Sequence, residues 1–156
     1  ENVERLCIMM LSKHFSFDEM TKSQTAERLR IYNKPGDHEL ASLKELCEKI
    51  LEPVREHYGI PFSPSSGFRC PELNKVIGSS DKSQHVKGEA VDFEIPKIPN
   101  TDVARWVMNN LDYDQLILEF FKEHQPRSGW IHCSYVGSGN RNSARRFDGR
   151  NWEDLS

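Results

Sequence analysis

With 156 residues, 37% of them hydrophobic and 29% charged, the chain reads as one soluble globular domain over 1–156, able to bury roughly two-thirds of the surface its unfolded form exposes. A net charge of −3 speaks against a nucleic-acid partner, and no run approaches the roughly 20 apolar residues of a membrane span. Four cysteines without a Cys-x-x-Cys spacing argue against a structural zinc knuckle and are read as buried free thiols, since nothing selects a disulfide connectivity.

Val3, Leu6, Cys7, Met10 and Leu11 recur at spacings of three and four and predict a short helix over 3–11. The run Cys7–Leu11, with Glu1 and Glu4 ahead of it, is too short for the apolar region of a signal peptide. Ser16 and Glu19 have the form of a capping box opening a helical turn, and a second short helix is expected over about 23–29. Asn33-Lys34-Pro35-Gly36-Asp37 is a turn. The longest predicted helix runs from about 39 to 57, where Leu40, Leu43, Leu46, Cys47, Ile50, Leu51 and Val54 form one apolar stripe. Pro53 should kink its last turns, and Gly59 and Pro61 end it.

Residues 60–68 read as a strand, and 71–77 as a short helix with Pro71 at its first position and Gly78 past its end. After a polar loop, residues 89–95 alternate as a strand with Ala90, Asp92 and Glu94 on one face and Val91, Phe93 and Ile95 on the other. Thr101 is expected to cap a helix ending at Asn110, followed by strands over 115–121 and 130–136. Beyond Gly137 the chain is polar and reads as a C-terminal extension of loop or tail. Its Arg141, Arg145, Arg146 and Arg150 are diluted by Asp148, Glu153 and Asp154 and read as solvated surface. Helices first and strands after predict an α+β fold, a small and mainly antiparallel sheet packed against helices.

Two segments carry chemistry: Ser83-Gln84-His85-Val86-Lys87-Gly88-Glu89-Ala90-Val91-Asp92 and Gly129-Trp130-Ile131-His132-Cys133-Ser134-Tyr135. Zinc takes neutral imidazole nitrogen and carboxylate oxygen, so His85, Asp92 and His132 can hold it with a fourth position open for water, whose pKa falls towards about 7. Gly88 lets the chain turn tightly between the first two. Taken singly, each histidine has a structural reading as well, and spacing alone leaves both open. Asp92 within a strand is the less ordinary residue, since a half-buried carboxylate there needs a cation or donors.

The residues themselves go further. The chain resembles the zinc D-Ala-D-Ala carboxypeptidase family of murein peptidases, whose fold is shared with the hedgehog signalling domain. The family pattern Ser-x-His-x-x-Gly-x-Ala-x-Asp is matched from Ser83 to Asp92, its later Trp-x-His strand at Trp130–His132, and its Ser-Gly-Phe-Arg turn and helix from Ser66 to Asn74. His14-Phe15-Ser16-Phe17-Asp18-Glu19-Met20 resembles the start of the phage- and bacteria-associated branch. The likeness spans about 14–136.

The resemblance implies a hedgehog/D,D-peptidase-like fold and a zinc (Zn²⁺) metallopeptidase hydrolysing peptidoglycan stem peptides, as a D-Ala-D-Ala carboxypeptidase or a related endopeptidase. His85, Asp92 and His132 become its metal ligands. Arg69 becomes the residue that holds a substrate carboxylate or polarises the scissile carbonyl, a task for which its planar fork of donors is suited. Ser83 bonds to substrate or orients the loop. Several relatives carry an acid three positions before the last histidine, where this chain has Gly129; Glu119, alone in an apolar strand, is the substitute general base, and Gln115 shares its face as a substrate-binding candidate. Glu94 and His124 are lesser candidates. Trp130 and Tyr135 are expected to pack the site wall or core and Trp106 the core, while His14, His38 and His57 receive no role. The rival reading is a non-catalytic zinc-containing module of cell wall or virion; a metal-dependent nuclease is disfavoured by the lack of a basic groove. The expected setting is the bacterial cell wall, periplasmic or phage-delivered, and the expected state a monomer.

Overall fold

The computed structural model describes residues 9–155. Of the helix expected over 3–11, residues 3–8, Cys7 among them, lie outside the described residues. Residues 9–11 are not helical: Met10 bridges Ser16 in a small hook whose Phe17 N–H donates to the Met9 carbonyl. The capping box forms as its spacing implies, with Ser16 Oγ accepting from the Glu19 N–H and Glu19 accepting from the Ser16 N–H, and it opens α1 (Phe17–Thr21). Ser23 caps α2 (Gln24–Leu29).

The long helix begins as α3 (Asp37–Leu46) and ends as α4 (Glu52–Tyr58), joined by a π-helical turn over Cys47–Leu51. Pro53 has no N–H to donate, and its ring would press on a carbonyl four residues back, so the helix widens just ahead of it. Leu43, Leu46, Cys47, Ile50, Leu51 and Val54 are fully buried along the predicted stripe. Cys47, Cys70 and Cys133 are free thiols, and burial pushes the Cys47 thiol up to about 12, which leaves it unreactive.

Residues 60–68 do not form the expected strand. Pro61 and Pro64 lack the donors a ladder needs, and the segment meets the sheet at Ser65 and Ser66, whose N–H groups donate to the Asp92 carbonyl while the Ser66 carbonyl accepts from the Asp92 N–H. α5 (Pro71–Ile77) starts and stops at the expected Pro71 and Gly78. α6 (Asn100–Asn110) begins after Pro99, so Thr101 lies inside the helix rather than capping it. The buried Asn100 side chain instead donates to the Ser128 and Gly129 carbonyls and to Glu94, pinning the loop ahead of the last predicted strand.

Five strands, β1 (Ala90–Phe93), β2 (Gln115–Glu119), β3 (Trp130–Ser134), β4 (Ser143–Phe147) and β5 (Trp152–Asp154), form one sheet in the order β1-β3-β2-β4-β5. All neighbours are antiparallel except β2 and β4. The fold is therefore α+β with a mainly antiparallel sheet, as expected. The stretch beyond Gly137 is not loop or tail: it supplies β4 and β5, and its Ser143 N–H donates to the Asp114 carbonyl to start the parallel pairing. Strand periodicity sends Val91, Phe93, Leu116, Leu118, Ile131 and Cys133 into the core with α3, α4 and α6, and leaves Asp92, Ile117, Glu119, Trp130 and His132 on the opposite face.

Candidate metal centre and cleft

Asp92 on β1 and His132 on β3 are directly paired across the ladder, so their side chains rise together from the face opposite the core. His132 Nδ1 lies 2.9 Å from Asp92 Oδ1. His85 arrives from the loop before β1, wound into successive turns by bonds from the Val86, Lys87 and Gly88 N–H groups to the carbonyls of Ser83, Gln84 and His85. Gly88 has the positive φ of 72° foreseen for a tight return, and a Cβ there would stand 2.4 Å from the Glu39 carbonyl oxygen.

His85 is 2% exposed, and its Nδ1 lies 2.7 Å from the Gly67 carbonyl. A carbonyl only accepts, so Nδ1 carries the proton and Nε2 holds a lone pair. That Nε2 is buried, has no hydrogen-bond partner among the described residues, and faces Asp92 Oδ1 at 3.4 Å. Two acceptors held this close in a buried place need a cation between them or a shared proton. One ligand atom from each of His85, Asp92 and His132 lies within 4.8 Å of the others. Burial pushes the Asp92 carboxyl up, but the histidines beside it outweigh that and hold it well below the usual carboxylate range. The donor set of two neutral imidazoles and one carboxylate fits zinc with a coordination position to spare.

These residues floor and wall a cleft of about 540 Å³ lined also by Arg69, Ser83, Gln84, Gln115, Ile117, Glu119, Trp130 and Arg141, with Lys82 and Lys87 at its rim. The expected site residues are thus brought together. Glu94 and His124 are not among the lining residues, and Glu94 instead accepts from Asn100 at the sheet edge. Ser83 turns its hydroxyl to the His85 N–H at 3.3 Å and so braces the loop. Arg69 is half-buried, and burial lowers its pKa against the pull of Asp92. Its Nη1 donates to Asn74 at 3.2 Å, while its buried Nε has no partner among the described residues.

Glu119 is half-buried. Burial raises its pKa, His132 draws it down, Asp92 pushes it up again, and the net direction is upward. Its ladder partner is Trp130, adjacent to Gly129. Gly129 has φ +67°, and a Cβ there would lie 1.7 Å from the Glu119 carbonyl oxygen. No side chain fits at 129, so a carboxylate in this region of the cleft must come from elsewhere, and Glu119 stands one ladder position away.

Arg141 is exposed, as its reading as solvated surface expects, and it also closes on Asp114 through Nε at 3.0 Å, Nη2 at 2.7 Å and its own backbone N–H at 3.0 Å. Asp114, 3% exposed, also accepts from Gln84 Nε2 at 2.8 Å, next to His85. The Arg141 bonds lower the Asp114 carboxyl to about 2 against the upward push of burial. No local sequence signal joins residues 84, 114 and 141; only the sheet order does. His14, given no role from sequence, holds Glu52 at 2.6 Å, and Trp106 stacks on His57 at the edge of the core. No helix among the described residues is long and apolar enough to cross a membrane.

Comparison with curated proteins gives no match. The family model for peptidase M15 matches residues 13–134, which hold His85, Asp92 and His132 and stop at the end of β3. With that match over most of its length, the chain belongs to the peptidase M15 family of zinc D-Ala-D-Ala carboxypeptidase-like metallopeptidases.

Proposed function

We propose that this protein is a zinc-dependent peptidase that hydrolyses peptidoglycan stem peptides, as a D-Ala-D-Ala carboxypeptidase or a related endopeptidase, acting as a monomer at the bacterial cell wall. The observation that carries the reading is the orphaned His85 Nε2, aimed at Asp92 and His132 in a cleft that also holds a half-buried carboxylate at Glu119. His85, Asp92 and His132 would hold the zinc. Bound there, zinc supplies Lewis acidity that polarises a carbonyl and eases deprotonation of water.

The chain's own residues do the rest. Glu119, with its pKa raised by burial, accepts the proton of the attacking water and returns it to the leaving amine. Arg69, its guanidinium held by Asn74 at the cleft wall, offers a fixed positive charge to a substrate carboxylate or to the carbonyl oxygen as charge develops on it. The Gly67 carbonyl holds His85 in the tautomer that presents Nε2. Ile117, buried at the cleft floor, keeps the region between Glu119 and His132 dry. Arg69, Lys82 and Lys87 outnumber Asp92 and Glu119 along the cleft, Arg141 being closed on Asp114, and in a chain of net charge −3 this suits an anionic peptide.

The test is digestion of purified peptidoglycan and synthetic stem peptides by the zinc-loaded protein, read by mass spectrometry beside a chelated control. Chelator-sensitive loss of a single D-Ala identifies the carboxypeptidase, and an internal cut the endopeptidase. No product from protein carrying stoichiometric zinc overturns the enzyme and leaves a zinc-containing wall-binding module.

A further inference from the structure

The catalytic face of the sheet does not end at the cleft. Ladder pairing places Trp130 opposite Glu119, Glu119 opposite Phe147, and Phe147 opposite Trp152. Directly paired residues share a face, so these four side chains form one row across β3, β2, β4 and β5. The neighbouring row, two residues along each strand, is Asp92, His132, Ile117, Arg145 and Asp154. Glu119 therefore stands inside an aromatic row that extends roughly 14 Å from Trp130, at about 4.8 Å per strand, onto the C-terminal hairpin.

A second observation concerns Phe120. It has φ +53°, a conformation that non-glycine residues adopt at a cost, and its ring is 47% exposed. The ring lies 5.2 Å from Trp130 and 5.4 Å from Phe147, and the Gly149 turn of the β4–β5 hairpin packs against it. A strained backbone that holds an aromatic ring in solvent beside Glu119 costs stability and contributes little to the core. Trp152, 46% exposed, is kept in place by Phe147 at 4.7 Å and by the Arg145 guanidinium at 4.2 Å from its ring. Arg145 forms no ion pair among the described residues.

We infer that Phe120, Phe147, Trp152 and Arg145 form a binding platform for the glycan strand to which the stem peptide is attached. The inference rests on the peptidoglycan reading above and extends its cleft. The strip presents ring faces and a single free guanidinium rather than the regularly alternating donors and acceptors that an extended peptide backbone pairs with. An N-acetylated pyranose has C–H faces that pack on aromatic rings, and acetamido and hydroxyl oxygens that accept from a guanidinium. Continuity with the cleft fixes the occupant, because a stem peptide reaching Glu119 carries its sugars within reach of the same row. The strip is built by β4 and β5 and by the residue after β2, so most of it lies beyond the residues that match the family.

The test uses the zinc-loaded protein and its Trp152→Ala and Arg145→Gln variants. Binding of oligomers of N-acetylglucosamine is measured by calorimetry, and hydrolysis is measured on intact sacculi and on free stem peptide. The wild type should bind the oligomers, and Trp152→Ala should weaken that binding and lower the ratio of sacculus to peptide rates by about five- to tenfold, the scale of one lost stacking contact. Arg145→Gln should do the same to a smaller extent. Absence of oligomer binding by the wild type, or an equal loss on both substrates, overturns the platform. Because oligomer binding is read without hydrolysis, a protein that binds sugars but cleaves nothing keeps the platform and rejects the peptidase.

Discussion

The two edges of the sheet hold arginines and carboxylates in contrasting ways. At the β1–β3 edge, the His85 side chain is 2% exposed and those of Asp92 and His132 13%, and each is fixed by a named partner: Gly67, the paired strand, or the loop braced by Ser83. At the β4–β5 edge, Arg145 and Arg146 sit beside Trp152 and Glu153 at the surface, and their contacts are rings and exposed ion pairs of small energetic weight. Burial converts a polar group into a commitment, because an unpaired one is costly there. The first edge therefore has one workable arrangement, suited to holding a metal, while the second has room to vary, suited to reading a substrate.

The largest break in this contrast comes from the buried edge. His85→Ala should lower zinc affinity by roughly a hundredfold or more and abolish hydrolysis, since it removes a ligand while the Gly67 carbonyl loses its donor. Equilibrium dialysis against a metal buffer reads this directly, and retained stoichiometric zinc would remove His85 from the ligand set. Glu119→Gln separates binding from chemistry within the same cleft. It should reduce kcat by about 10²–10⁴ and leave zinc affinity within a few-fold of the wild type. Undiminished turnover would transfer the base role to another group.

Gly129→Glu introduces the acid that the family resemblance places three positions before the last histidine, and it sharpens the comparison by asking whether a position pressed against the β2 backbone can accept it. The positive φ and a Cβ placed 1.7 Å from the Glu119 carbonyl predict a lower unfolding midpoint, by about 5–10 °C, with no gain in activity. A variant as stable as the parent would show that β2 and the 129 turn do not meet as closely as described.

The signals that were legible in sequence are local. The capping box at Ser16, the Pro71–Gly78 helix and the His85–Asp92 turn each specify their geometry within ten residues, by donors, caps and a glycine at positive φ. What escaped is long-range or depends on partners. β4 reads Ser-Ala-Arg-Arg-Phe, with no apolar alternation, and becomes a strand only because β2 and β5 flank it and because Arg145 lies over Trp152 and Arg146 pairs with Glu153. Residues 60–68 have strand-like side chains, but two prolines deny them a ladder. Glu119 was legible as a lone carboxylate in an apolar strand, whereas the reason no acid stands at 129 needed the packed backbone.

Arg141 is where the two edges meet, and its effect should be the smallest of those described. It reaches from the C-terminal stretch to Asp114, which in turn holds Gln84 beside His85. Arg141→Ala should loosen that loop and weaken zinc binding by about three- to tenfold, less than loss of a ligand because the bond is two contacts removed, with partial recovery in Arg141→Lys. The same contact has a pH signature. Asp114 is held at about 2 in the folded protein against an ordinary value of 3.8, so between these values the unfolded chain binds more protons. Its contribution to stability is complete above about 4 and disappears as pH falls towards 2. Thermal unfolding of the metal-free protein across that window should therefore show a shallower acid limb in Arg141→Ala than in the parent. Parallel limbs would mean that Arg141, more than half exposed, is screened by solvent and that Asp114 owes its low pKa to Gln84 and the backbone alone.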